Sequence, residues 1–153
     1  MMGILNLERP PQFFGKTVLT VVGQALEAAG YIFQSYPLFT DHGLFRFRKD
    51  LDERVSLCVE FQFLSYPGGP ARFRVNLLRQ RTIDGRSRPT SEEKTLCRLL
   101  WDEFGVQQLG RRDYWWTFTS QSDLTDTLAE VSKLIFEYAI PWLEGKQPVL
   151  KAK

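Results

Sequence analysis

The stretch Val55-Ser56-Leu57-Cys58-Val59-Glu60-Phe61-Gln62-Phe63 places an apolar residue at every second position. Successive side chains of an extended chain point to opposite faces, so this run reads as a strand with one buried and one wetted side. Two neighbouring runs share the period. Leu44-Phe45-Arg46-Phe47-Arg48 sets Phe45 and Phe47 against Arg46 and Arg48, and Phe73, Val75 and Leu77 alternate with Arg72, Arg74 and Asn76. Asp50, Asp52 and Glu53 mark one turn, and Pro67-Gly68-Gly69-Pro70 marks the next. Short links between alternating runs predict an antiparallel meander. On it Arg46, Arg48, Glu60, Gln62, Arg72 and Arg74 share the wet face, where Glu60 can pair across strands with an arginine.

From Gln12 to Ala29, the residues Phe14, Val18, Val21, Val22, Ala25 and Ala29 recur at helical spacing, and Gly30 is a fitting stop. Gly15 and Gly23 each cost this helix about 1 kcal/mol relative to alanine, so packing must hold it. Tyr31 to Tyr36 reads as a short first strand ended by Pro37. After the meander, Thr82 to Pro89 reads as a polar loop. Thr90 with Glu93 has capping-box spacing, and Leu96, Leu99, Leu100, Trp101 and Phe104 extend a helix to Gly105. Tyr114-Trp115-Trp116-Thr117-Phe118 is rich in strand formers. Ser122 or Asp123 is expected to cap a last helix carrying Leu124, Leu128, Val131, Ile135, Tyr138 and Trp142, with Pro141 kinking or ending it near Ile140. The expected class is α+β: a mostly antiparallel sheet of about five strands and three helices, in the order α-β-β-β-β-α-β-α, with the helices on one face. Residues 1–11 are expected to be an extension, 12–145 a single domain, and 146–153 a flexible tail.

The chain has 153 residues, 43% hydrophobic and 25% charged, with a formal charge of +2. These proportions fit one globular domain and exclude a collagen-like chain, a coiled coil and a disulfide scaffold. A net charge this small does not by itself argue for nucleic acid or membrane. Cys58 and Cys97 fall in a strand and a helix pattern and read as reduced thiols. The N-terminal residues have no apolar core of signal-peptide length, and no run of about 18 apolar residues occurs, so the cytoplasm is the expected compartment.

The familiar catalytic constellations do not assemble. One histidine, His42, and two distant cysteines make a poor zinc set. His42 sits in the polar turn Thr40-Asp41-His42-Gly43 with no nucleophile elbow nearby. No glycine-rich loop follows a strand and opens a helix, and the acidic pairs at Asp50/Asp52/Glu53, Glu92/Glu93 and Asp102/Glu103 have structural explanations. No catalytic residue, metal ligand or cofactor is therefore assigned. The unusual charge feature is arginine: from Arg72 to Arg88 there are six arginines against one acid, Asp84, a local net of +5. The second feature is aromatic. Trp115 and Trp116 must point to opposite faces of a strand, so one can be core while the other anchors a partner beside Arg111 and Arg112.

The sequence also resembles a known family. Ala28-Ala29-Gly30-Tyr31-Ile32-Phe33, Glu60-Phe61-Gln62-Phe63, Phe73 to Leu77, the Trp-Trp strand and Ala139-Ile140-Pro141-Trp142-Leu143 together resemble the bacterial domain-of-unknown-function family numbered 4304, over roughly residues 12 to 145. The Arg-rich loop at Thr82–Pro89 and the Thr90–Phe104 helix depart from it. The resemblance implies one α+β domain of bacterial source and supplies no catalytic residues.

Three functional readings stay open. The first is a non-enzymatic protein-binding module, of immunity or inhibitor type, using Arg46, Arg48, Glu60, Gln62, Arg72, Arg74, Arg111, Arg112, Trp115 and Trp116 against an acidic protein. The second is nucleic-acid binding through the same arginines, which the core-facing register of the strand aromatics disfavours. The third is an enzyme or small-ligand protein with a partly polar pocket between sheet and helices near His42, Cys58 or Glu60.

Overall fold

The computed structural model describes residues 10–67, 69–83, 86–107 and 109–145, and for 82–91 it describes the backbone alone. The three period-two runs form β2 (Leu44–Asp50), β3 (Val55–Leu64) and β4 (Ala71–Ile83). They pair antiparallel, with Phe47 opposite Val59 and Val59 opposite Leu77. β1 (Ile32–Phe33) adds to β2, and β5 (Arg86–Thr95) to β4. The three-residue β6 (Trp116–Phe118) pairs with Ala71–Phe73 at the start of β4, while β5 takes β4 from Asn76 onward. β3 fills the other side of β4, so β5 and β6 lie end to end along one edge. The fold is α+β with an open antiparallel sheet.

The helices cover one face of it. α1 (Pro10–Val18) runs through a π-helical turn, Leu19–Gly23, into α2 (Gln24–Ala28). α5 (Gln121–Leu134) runs through a second π turn, Ile135–Ala139, into α6 (Ile140–Leu143). Between sheet and helices lies an aromatic core centred on Phe14. Its ring sits 5.1 Å from Phe63, 5.3 Å from Phe73 and 5.7 Å from Phe45, centroid to centroid. Each such side chain stabilises by roughly 1.5–3 kcal/mol when fully buried. Gly15 belongs to this contact, because a Cβ there would stand 2.3 Å from the Phe45 ring. Among the described residues no helix is long and apolar enough to cross a membrane.

The C-terminal helix is fastened to the sheet by a polar clamp. The fully buried Tyr31 donates its hydroxyl to Glu144 Oε2 at 2.9 Å, and Lys49 Nζ donates to the same oxygen at 2.9 Å. Burial, then the neighbouring carboxylate, pushes the Tyr31 phenol well above its ordinary pKa. Arg79 Nη2 donates to the carbonyls of Trp142 and Leu143, acceptors that the end of a helix leaves unpaired.

Several boundaries differ from the sequence reading. The helix expected from Thr90 starts at Leu96, giving α4 (Leu96–Phe104), and its cap is Thr95, whose Oγ1 accepts from Arg98 N at 3.2 Å. Thr90 lies in β5 instead. The capping-box spacing is a short pattern, whereas the far half of β4 presents a row of backbone groups that pairing with 86–95 satisfies. The expected polar loop thus supplies strand on both sides, with Ile83 paired to Arg86. Asp84 and Gly85 lie outside the described residues, as do 1–9 and 146–153, where the extension and tail were expected. The first helix begins at Pro10, two residues earlier than expected, since proline is tolerated in a first turn. Pro37, expected only to end a strand, opens the short α3 (Pro37–Thr40). The cap of α5 is Ser120 rather than Ser122 or Asp123. Ser120 Oγ accepts from Asp123 N, while Asp123 Oδ2 accepts from Thr119 N. Pro141 does not stop the last helix. The π turn directly before it widens the backbone where the ring would meet the Glu137 carbonyl, and the helix continues to Leu143.

Candidate functional site

Strand alternation sorts the sheet as the sequence implies. Phe45 and Phe47, then Leu57, Val59, Phe61 and Phe63, then Phe73, Val75 and Leu77 turn toward the helices and are buried. The register sets Arg46 opposite Glu60, Glu60 opposite Asn76, Gln62 opposite Arg74, and Leu64 opposite Arg72 on the other face, which α1, α2, α5 and α6 leave open. Arg46, Arg48, Glu60, Gln62, Arg72 and Arg74 therefore share one surface.

These side chains form a hydrogen-bond chain across three strands. Arg46 donates to Glu60 Oε2 from Nε at 3.1 Å and Nη2 at 2.9 Å. Asn76 Nδ2 donates to Glu60 Oε1 at 2.9 Å and to Gln62 Oε1 at 3.0 Å. Arg74 Nε donates to Gln62 Oε1 at 3.0 Å. The carboxylate only accepts, so it orients every amide along the chain. Arg48 pairs with Asp50 at 2.8 Å.

Arg72 and Arg74 have a different environment. Trp115 turns away from the core and lies under both, with the Arg74 guanidinium carbon 4.6 Å and that of Arg72 5.7 Å from its ring centre. Arg72 also lies 5.2 Å from the centre of the exposed Tyr66 ring. The result is an alternating row, Tyr66–Arg72–Trp115–Arg74, held by cation–π attraction. Neither arginine has a carboxylate within 4.0 Å among the described residues.

The remaining expected site residues fall elsewhere. Trp116 turns inward and stacks on Phe73 at 5.6 Å, so it is core and offers nothing to a partner. Arg112 is held by Asp102 through two hydrogen bonds of 2.9 and 2.8 Å. Arg111 is exposed in the loop before β6. Of the arginines between 72 and 88, Arg79 and Arg81 take the other register, opposite Leu57 and Val55, and the side chains of Arg86 and Arg88 lie outside the described residues. The basic run is thus split between faces.

Arg98, Asp113, Glu93 and Tyr66 join the open face, and the sequence reading missed all four. Arg98 and Asp113 form a bidentate pair at 2.9 and 3.1 Å. Only the α4 helix register could have placed Arg98. Tyr66, next to the Pro67 turn, carries no periodic signal. Among the described residues, Arg46, Arg48, Arg72, Arg74 and Arg98 stand against Asp50, Glu60, Glu93 and Asp113, five cations to four anions, and Lys94 is paired with Glu103, so the face is near neutrality. A concavity of about 520 Å³ opens on it, lined by Glu60, Gln62, Arg74, Asn76, Glu93 and Arg98 among others. It lies on the open side of the sheet, not between sheet and helices, and of the three residues expected near a pocket only Glu60 lines it.

The perturbed groups are structural ones. Burial pushes the Cys58 and Cys97 thiols up to about 11, which leaves little thiolate at neutral pH. Hydrogen bonds from Arg112 and Arg98 hold Asp102 and Asp113 below the usual carboxylate range, and the backbone N–H groups of Arg54 and Val55 do the same for Asp52. His42 is exposed, and its Nδ1 lies 2.8 Å from the Leu38 carbonyl oxygen. Among the described residues no group of three or more His, Cys, Asp or Glu is placed to hold a metal ion. No family model matches the chain, and no curated protein or solved structure is significantly similar to it.

Proposed function

We propose that this protein is a non-enzymatic binding module that docks an acidic protein surface on its open sheet face, around Arg72, Arg74, Trp115 and Tyr66. The observation that carries the reading is the alternating aromatic–guanidinium row. It presents two arginines without a carboxylate partner among the described residues. Arginine and aromatic side chains dominate the energetics of protein interfaces, and the chain Glu60–Asn76–Gln62 holds Arg74 in place before any partner arrives. An immunity or inhibitor role in the bacterial cytoplasm is one form of this reading.

Nucleic-acid binding is the second reading. It is favoured by Tyr66 and Trp115, which bring aromatic rings to the arginine side of the sheet, as single-strand binders require. Against it stands the near-balance of charge, because polyanion affinity rests on many unneutralised cations.

The test is capture from cells of the source organism with wild-type bait, Arg72→Glu/Arg74→Glu bait, and bait reversed at the exposed Lys133 on α5. A partner with an acidic surface retained by Lys133→Glu and lost by the double variant supports the reading. Equal capture by all three refutes it. A shift of short single-stranded DNA that falls steeply with salt would transfer the face to the second reading.

A further inference from the structure

Lining the concavity are six charged groups, of which four are satisfied by opposite charges. Glu60 is paired with Arg46 at 2.9 Å, Asp113 with Arg98 at 2.9 Å, and Lys94 with Glu103 at 2.8 Å. Arg74 and Glu93 remain, one cation and one anion, each without an ion pair among the described residues. The polar network sharpens this division. Glu60 accepts the Asn76 amide nitrogen, and Gln62 Oε1 accepts from both Asn76 and Arg74. Among the described residues this leaves Gln62 Nε2 and the Arg74 Nη groups as unused donors at one end, and Asn76 Oδ1 as an unused acceptor.

We infer that the concavity is a site for a small zwitterion, whose carboxylate is taken by Arg74 and Gln62 and whose ammonium is taken by Glu93 and Asn76. Glu93 stands opposite Leu78, and Arg74 lies four residues earlier on β4, so their backbones are offset by roughly 13 Å along the strands. Two side chains reaching across that offset suit a ligand whose charges are several bonds apart: a dipeptide or an ω-amino acid. The site shares Arg74 with the aromatic row, while Glu93, Gln62 and Asn76 lie outside that row.

The experiment is an NMR titration of the full chain with alanyl-alanine and with γ-aminobutyrate, following the side-chain amides of Gln62 and Asn76 and the Nε–H of Arg74. Succinate and putrescine serve as single-sign controls. Saturable shifts at these three groups with either zwitterion support the site, and which of the two binds more tightly identifies the source. Arg74→Lys and Glu93→Gln should each weaken binding by about tenfold, the effect of one charged hydrogen bond. Lys133→Glu, on α5, should leave the titration unchanged, and Glu93→Gln, outside the aromatic row, should still capture the acidic partner, which separates the two sites. Absence of shifts with both zwitterions overturns the inference, as does equal binding of succinate or putrescine.

Discussion

Replacing Glu60 with alanine asks whether the arginine face is held by its own charges. The Glu60 side chain is 7% exposed and that of Arg46 20%, so the pair is neither a surface ion pair nor a fully buried one. Exposed pairs contribute about 0.2–1 kcal/mol. Removing one partner of a buried pair costs about 3–5 kcal/mol, because the other charge is left without compensation. The orphaned Arg46 would keep some water and its place 5.2 Å from the Phe39 ring centre, while Asn76 would lose an acceptor. The expected loss is therefore about 2–3 kcal/mol, between the two limits. For a chain of this size that lowers Tm by about 4–12 °C. Urea unfolding of Glu60→Ala, Arg46→Ala and the double variant measures it. Once one partner is gone, removing the other does little further harm, so the double variant should fall short of the sum of the singles by about 1–2 kcal/mol. A coupling under about 0.5 kcal/mol would show that these charges are solvated independently and that the network does not preorganise the face.

Gly15→Ala and Gly23→Ala should act in opposite directions in the same assay. The added Cβ at Gly15 meets the packed Phe45 ring and costs about 1–3 kcal/mol, whereas at Gly23 it makes ordinary contacts, Leu19 at 3.6 Å and Phe47 at 3.9 Å, and can gain up to about 1 kcal/mol in helix propensity. Two destabilised variants would contradict the described packing. Asp102 and Asp113 have folded pKa values depressed by their arginine partners, so their contribution is fully present above the unfolded carboxylate value of about 4 and fades as pH falls through the folded values. Stability of Asp102→Asn/Asp113→Asn should accordingly fall less steeply than wild type below about pH 4, and parallel curves would count against these pairs. A thiol reagent at neutral pH should label neither Cys58 nor Cys97 until the chain is unfolded, and rapid native labelling of Cys58 would show that its burial is wrong.

The amino-acid order alone was enough for the meander and for the division of its faces. In β2, β3 and the first half of β4, large apolar groups occupy alternate positions, and burying them fixes the face each side chain takes. It was also enough for the opposition of Trp115 and Trp116, since neighbours on an extended chain cannot share a face. What tertiary structure decided lies where no period exists. Residues 86–95 are polar apart from Pro89, and their strand state comes from the unpaired edge of β4. Arg79 looks like its neighbours in sequence but ends under the last helix, because the carbonyls of Trp142 and Leu143 need donors there. The arginine face likewise reads as a basic patch around Glu60 until Asp113 and Glu93 arrive from distant segments to bring its charge near balance. Periodicity is local and survives in one dimension; partner choice among charged and edge groups depends on which distant segments the closed core brings within a few ångströms.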